Sequence, residues 1–184
     1  VSVPLGIISA MKRASKIDEI IRILTGIAIA TPPFWIGMLI INLTSTQFNW
    51  VPPLFYRPFH IDPIINLTFM AFPVLTIVVT SSAIIVRLLR SMILEELSND
   101  YVRTAYAKGL SPYKIMLFHV VRNASIPIIT MFGFFFSAIL GGAVVVETVF
   151  NLPGLGSELV EAVLSRDNPM LLGIVVGLSL IMCI

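Results

Sequence analysis

The chain has 184 residues, 57% of them hydrophobic and only 12% charged, with a net charge of +2 at pH 7 and a mean hydropathy of +0.97. Soluble domains carry roughly 25% charged residues. The composition therefore excludes an ordinary water-soluble globular domain and points to an all-α, polytopic membrane protein. The single cysteine, Cys183, excludes an intrachain disulfide, and His60 and His119 stand far apart with no cysteine beside either, so zinc-cluster spacing is absent.

In chain order, residues 1–11 are apolar but shorter than the roughly 20 residues a spanning helix needs. Residues 23–56 carry no charge, and a helix is expected over about 24–46. The Pro32–Pro33 pair should kink it, because proline removes a backbone donor and crowds the preceding turn. A second uncharged run covers 63–86, with Pro63 suited to the first helical turn and Pro73 inside. A third covers 123–146, and a last apolar run covers 168–184. These give three complete spans and two partial ones. Both ends read as cuts through membrane helices, so a partial transmembrane domain is expected over residues 1–184.

Basic residues alternate between the connections. Lys12, Arg13, Lys16 and Arg22 precede the first complete run, and Arg87, Arg90, Arg103, Lys108, Lys114 and Arg122 lie between the second and third. Only Arg57 and Arg166 fall elsewhere. The positive-inside rule then assigns 12–22 and 87–122 to the cytoplasm, and the stretches near 47–62 and 147–167 to the outside. The first outer stretch holds Trp50, Phe55, Tyr56 and Phe59, which suit a headgroup belt or a docking surface for an outside partner. In the second, Pro153, Gly154 and Gly156 break the chain, Ser157 is a candidate N-cap, and Glu158 falls in the first turn of a short helix. Glu147 is expected at the outer interface. The Gly173–Gly177 and Gly141–Gly142 pairs suit close helix packing. No complete run holds a charge at its centre, which counts against an ion-coupled carrier.

The longest polar stretch, residues 98–122, is a cytoplasmic segment with a break at its middle. Ser98, Asn99 and Asp100 supply helix-start chemistry. Gly109 suits the left-handed position after a helix. Ser111 and Pro112 restart a helix as N-cap and first residue. On the second helix Tyr113, Met116, Leu117, Val120 and Val121 share a face. Tyr101, Val102, Ala105 and Tyr106 are expected to be available for insertion into a groove on another protein. The alternative is an amphipathic hinge lying on the membrane surface.

The stretches "DYVRTAYAKGLS", "HVVRNASIP", "GGAVVVETVFNLPGLG", "PLGIISAMKR" and "TPPFWIGMLI" resemble the membrane permease subunits of binding-protein-dependent ABC importers, in the oligopeptide, dipeptide and nickel branch. Residues 98–122 resemble that family's EAA loop, with Arg103-Thr104-Ala105 in the EAA place and Gly109 at the family's spacing. Two departures stand out. The family's Glu is Arg103 here, so its usual pairing with a basic group on the ATPase does not carry over, and a reversed pair, or contact by backbone and apolar side chains, must replace it. The generic I-x-L-P ending is absent, with His119 and Arg122 near its place and Pro127 further on.

The resemblance implies a type I importer-like bundle. It implies coupling through Tyr101, Val102, Arg103, Thr104, Ala105, Gly109, Ser111 and Pro112. It also implies a non-catalytic role beside ATP-binding subunits, a second homologous permease subunit and an extracytoplasmic substrate-binding protein in a bacterial inner membrane. No nucleic acid is implied. The expected cargo is a peptide, with nickel or another small solute as the alternative. No phosphate loop is found: around Gly109, Thr104 holds the place of the first Gly and Leu110 that of the Lys. ATP and magnesium are therefore expected on the partner subunits, with no cofactor on this chain. The rival classes are an ion-coupled membrane carrier, a membrane enzyme and a purely structural subunit. Ser81, Ser82 and Ser137 have no His or Asp close in sequence to form a catalytic set.

Overall fold

The computed structural model describes the backbone of residues 1–49, 51 and 56–183, with side chains except at 128, 130–134, 136–138, 140–142, 182 and 183. Among the described residues all regular structure is helical: α1 (Ser2–Met11), α2 (Lys16–Ala30), α3 (Pro33–Phe48), α4 (Pro63–Glu96), α5 (Asp100–Ala107), α6 (Pro112–Lys114), a π-helical segment (Ile115–Val120), α7 (Val121–Phe150), α8 (Leu155–Ser165) and α9 (Asn168–Cys183). The chain divides into two compact units whose segments alternate in sequence, 1–30 with 80–135, and 31–79 with 136–184.

In the first unit, α1 and α2 pack together across a turn in which Ala14 has φ of 62°. Val86, Leu89 and Ile93 are buried on α4, at the three-and-four spacing of one helical face. Leu89 and Ile93 join Ala10, Val102, Ala105, Ile115, Met116, Val120 and Ala124 in one apolar core. This core roots the 98–122 segment in the end of a long helix.

In the second unit, Asp62 starts α4 by accepting the Ile65 N–H at 3.1 Å, and Pro63 takes the first helical position as expected. Asn66, Phe69, Pro73 and Thr76 form the buried face of this half of α4. The Asn66 amide donates to the Arg57 carbonyl at 2.6 Å, and Tyr56 meets Phe69 edge-on at 6.1 Å between centroids. Gly37 of α3 lies against the ring of Phe150. The end of α7 and α8 are bent by 82°, and α8 packs on α9.

Several expectations change. The helix expected over 24–46 is two helices, broken at residues 31 and 32. Two consecutive prolines push the residues before them out of the helical region. Pro32, with φ of −59° and ψ of 140°, caps α3, and Pro33 is its first residue. The second run extends ten residues past Val86 to Glu96, because Arg87 and Arg90 are helix formers on a helix whose apolar face continues. Ser157 is not the N-cap of α8. That place is Gly154, and Ser157 stands three residues in. Its hydroxyl accepts the Gly154 N–H at 3.0 Å and donates to the Leu152 carbonyl at 2.8 Å.

The cap comes from a distant side chain. The Glu147 carboxylate accepts the N–H groups of Gly156 and Ser157 at 2.8 and 3.0 Å, an anion placed where a helix start presents unpaired donors. A Cβ on Gly173 or Gly177 would meet nothing within 4 Å, so this pair makes no close packing among the described residues. Trp50 and Phe55 lie outside the described residues, as do the side-chain surroundings of Ser137, Gly141 and Gly142. By length and apolar composition, α4 is one described helix able to cross a membrane. Counting each of two helix pairs joined by a short break as one span gives three.

Candidate functional site: the 98–122 elbow

The elbow begins with Asn99 in the N-cap position of α5, in extended backbone with φ of −73° and ψ of 148°. Its side chain does not cap the helix. The Asn99 amide and the Tyr101 hydroxyl both donate to Glu96 Oε2, at 3.0 and 2.6 Å. Glu96 thereby holds the approach to α5 against the end of α4. Burial and the Glu96 carboxylate push the Tyr101 hydroxyl above its ordinary pKa.

The α5 helix is short, and eight residues cannot hold a helix in water unaided. Packing supplies what propensity cannot. Val102 is 1% exposed and Ala105 8%, three residues apart and so on one face. This corrects the expectation that both are available to a partner: they fill the chain's own core. Tyr101 is half-buried. The free face holds Arg103, Thr104 and Tyr106. Arg103 is 81% exposed and lies 3.8 Å from the fully solvated Asp100 carboxylate, a contact worth little in water. The Thr104 hydroxyl turns back to the Asp100 carbonyl at 3.0 Å.

The break is a Schellman turn. Lys108 closes α5, and Gly109 has φ of +78°. The Gly109 N–H donates to the Tyr106 carbonyl at 2.9 Å, and the Leu110 N–H to the Ala105 carbonyl at 3.3 Å. These are the paired bonds of this helix ending. A Cβ at Gly109 would meet nothing within 4 Å, so the demand for glycine is conformational and not steric. Ser111 then occupies the next N-cap position, without a side-chain cap bond, and Pro112 the first turn. All residues from Tyr106 to Lys114 are exposed.

Beyond Lys114 the chain adopts a π-helix over Ile115–Val120. The expected face named Tyr113, Met116, Leu117, Val120 and Val121. Met116 and Val120 are buried, Leu117 and Val121 half-buried, and Tyr113 is 62% exposed. Ile115 was absent from that face and is fully buried. In a π-turn residues five apart line up, which brings Ile115 and Val120 together on the core side.

Sequence reasoning also missed a buried ion pair in the same unit, between α2 and α4. Asp18 accepts Arg90 Nε and Nη2, both at 2.8 Å. It also accepts the Ser9 hydroxyl at 2.6 Å and the Ala14 N–H at 3.1 Å. The available signal was Arg90 itself, four residues after Val86 and three before Ile93 and so on the same face as these apolar residues.

A sequence model of the family described as "Binding-protein-dependent transport system inner membrane component" matches residues 2–184. The chain is 36% identical over 173 residues to a putative peptide transport system permease protein of Brucella abortus, covering 94% of this chain and 55% of that protein. It is 37% identical over 181 residues to the oligopeptide transport system permease protein AppB of Bacillus subtilis, covering 96% and 56%. Against the dipeptide transport system permease protein DppB of the same organism it is 37% identical over 181 residues, covering 98% and 56%. The chain thus spans a little over half the length of these relatives.

Proposed function

Because the chain belongs to the family of binding-protein-dependent transport system inner membrane components, in its peptide-permease branch, we propose that it forms part of the membrane permease subunit of an ATP-driven peptide importer. The elbow at Gly109 is its contact with an ATP-binding subunit. ATP and magnesium are held by that partner, and this chain contributes no catalytic group. A second homologous permease subunit completes the pathway, and an extracytoplasmic substrate-binding protein delivers the peptide. The protein works as a multi-pass component of a bacterial inner membrane. Closure of the ATP-binding subunits shifts the elbows, and the spans exchange between inward-open and outward-open arrangements.

One observation carries this reading. The elbow has a buried face rooted in α4 through Leu89 and Ile93, and an exposed face from Tyr106 to Lys114. A displacement applied to the exposed turn is borne by a packed core that has little room to deform. Arg103 on the exposed face of α5 stands in the family's acidic position, so the contact there is either a reversed pair with an acid on the ATP-binding subunit or one made by backbone and apolar side chains. Coordinating chemistry on this chain is not needed for the role.

A photo-crosslinking residue at position 110 of the intact transporter tests the docking. It should capture the ATP-binding subunit, while the same residue at buried position 115 should not. Capture of lipid alone at position 110 would overturn the docking reading in favour of a membrane-surface hinge.

A further inference from the structure

The first unit holds an open cavity of 730 Å3 between α2, the α1–α2 turn and the basic half of α4, lined among others by Ser9, Asp18, Glu19, Arg22, Arg87 and Arg90. We propose that this cavity binds the phosphate headgroup of an anionic phospholipid through Arg22 and Arg87.

The charges decide the sign of the ligand. Asp18 and Arg90 neutralise one another in the cavity wall, with both carboxylate oxygens taken by the guanidinium. Arg22 and Arg87 then face a single remaining carboxylate, Glu19. Among the described residues neither arginine has an acidic side chain within ion-pair distance, and both are exposed. Two guanidinium groups offer planar donor forks that match phosphate oxygens. The volume lies within the range of small-ligand sites.

The apolar surroundings decide between a lipid and a free anion. Ile20, Ile23, Leu24 and Ile27 are all exposed on α2, at the spacing of a single stripe, and Ile23 itself lines the cavity. A soluble phosphate has no use for such a stripe, whereas acyl chains lie along it. The cavity is also on the side that the distribution of basic residues assigns to the cytoplasm, where Lys and Arg at helix ends meet anionic headgroups. The inference needs the membrane placement of the chain but not its role in transport.

The test uses the intact permease in nanodiscs, with native mass spectrometry counting phosphatidylglycerol retained against phosphatidylcholine. The wild type should retain phosphatidylglycerol in preference. Arg22→Gln with Arg87→Gln should weaken that retention by about tenfold or more, each single change should weaken it less, and the paired lysine variants should keep most of it. Arg166→Gln should leave it unchanged. If the glutamine pair misfolds, the single variants are read instead. Retention unaffected by every Arg22 and Arg87 change would overturn the site. Displacement of the lipid by inorganic phosphate at equal concentration would show a free-anion site and overturn the lipid assignment. Neither ATPase activity nor uptake enters the readout.

Discussion

At the scale of single residues, the firmest constraint is Asp18, whose side chain is 1% exposed and held by Arg90, Ser9 and the Ala14 N–H. Buried ion pairs stabilise little relative to apolar replacements, but breaking one from one side is costly. Arg90→Met should therefore destabilise the intact protein by about 3–5 kcal/mol, read as a lowered thermal midpoint in detergent. Adding Asp18→Leu to that variant should recover much of the loss. An Arg90→Met protein melting with the wild type would show the pair to be idle. Arg103 presents the opposite case. At 81% exposed, with only a solvated Asp100 nearby, it adds little to the fold. Arg103→Glu should leave the melting curve unchanged. It should weaken binding of the ATP-binding subunit, by a factor that depends on added salt. Binding insensitive to the reversal would place Arg103 outside the contact.

At the scale of elements, local patterns located most helices, and their failures have specific causes. Pro63, Gly109, and Ser111–Pro112 behave as their backbone preferences demand, since a fixed φ or a freely positive φ is a property of one residue. Ser157 was misread because the true cap of α8 is Glu147, nine residues before Gly156 and on another helix. No local window contains that partner. Ile115 was missed because helical periodicity of 3.6 was assumed where the backbone takes a π-turn, which moves the buried row by one position. The α7–α8 corner also contains a steric demand that spacing does not reveal. A Cβ on Gly156 would stand 2.6 Å from the Val144 Cα, a backbone atom that cannot move aside alone. Gly156→Val should cost about 1–3 kcal/mol and increase protease cleavage at the corner. A variant as stable and as protease-resistant as the wild type would contradict the packing of that corner.

At the scale of the whole molecule, composition alone indicated an all-helical membrane protein, and the order of short motifs indicated the permease family to which the chain belongs. The elbow was legible as a helix, a turn and a helix. Which of its faces is free was not, because that depends on Leu89 and Ile93 arriving from α4 to cover Val102 and Ala105. Under the proposed function, the exposed turn, and not the buried apolar face of α5, is the surface offered to an ATP-binding subunit. The central claim is that this turn carries motion from an ATP-binding subunit into the spans, and Gly109 tests it most directly. Its φ of +78° is open to glycine and tolerated by asparagine, whereas a β-branched residue there costs about 1–2 kcal/mol. Uptake of labelled peptide should be measured alongside affinity for the ATP-binding subunit in Gly109→Val and Gly109→Asn forms of the intact transporter. The account predicts membrane insertion in both, weakened binding with uptake abolished in the valine form, and substantial recovery of both activities in the asparagine form. Normal uptake by the valine form, with the ATP-binding subunit held at unchanged affinity, would contradict it.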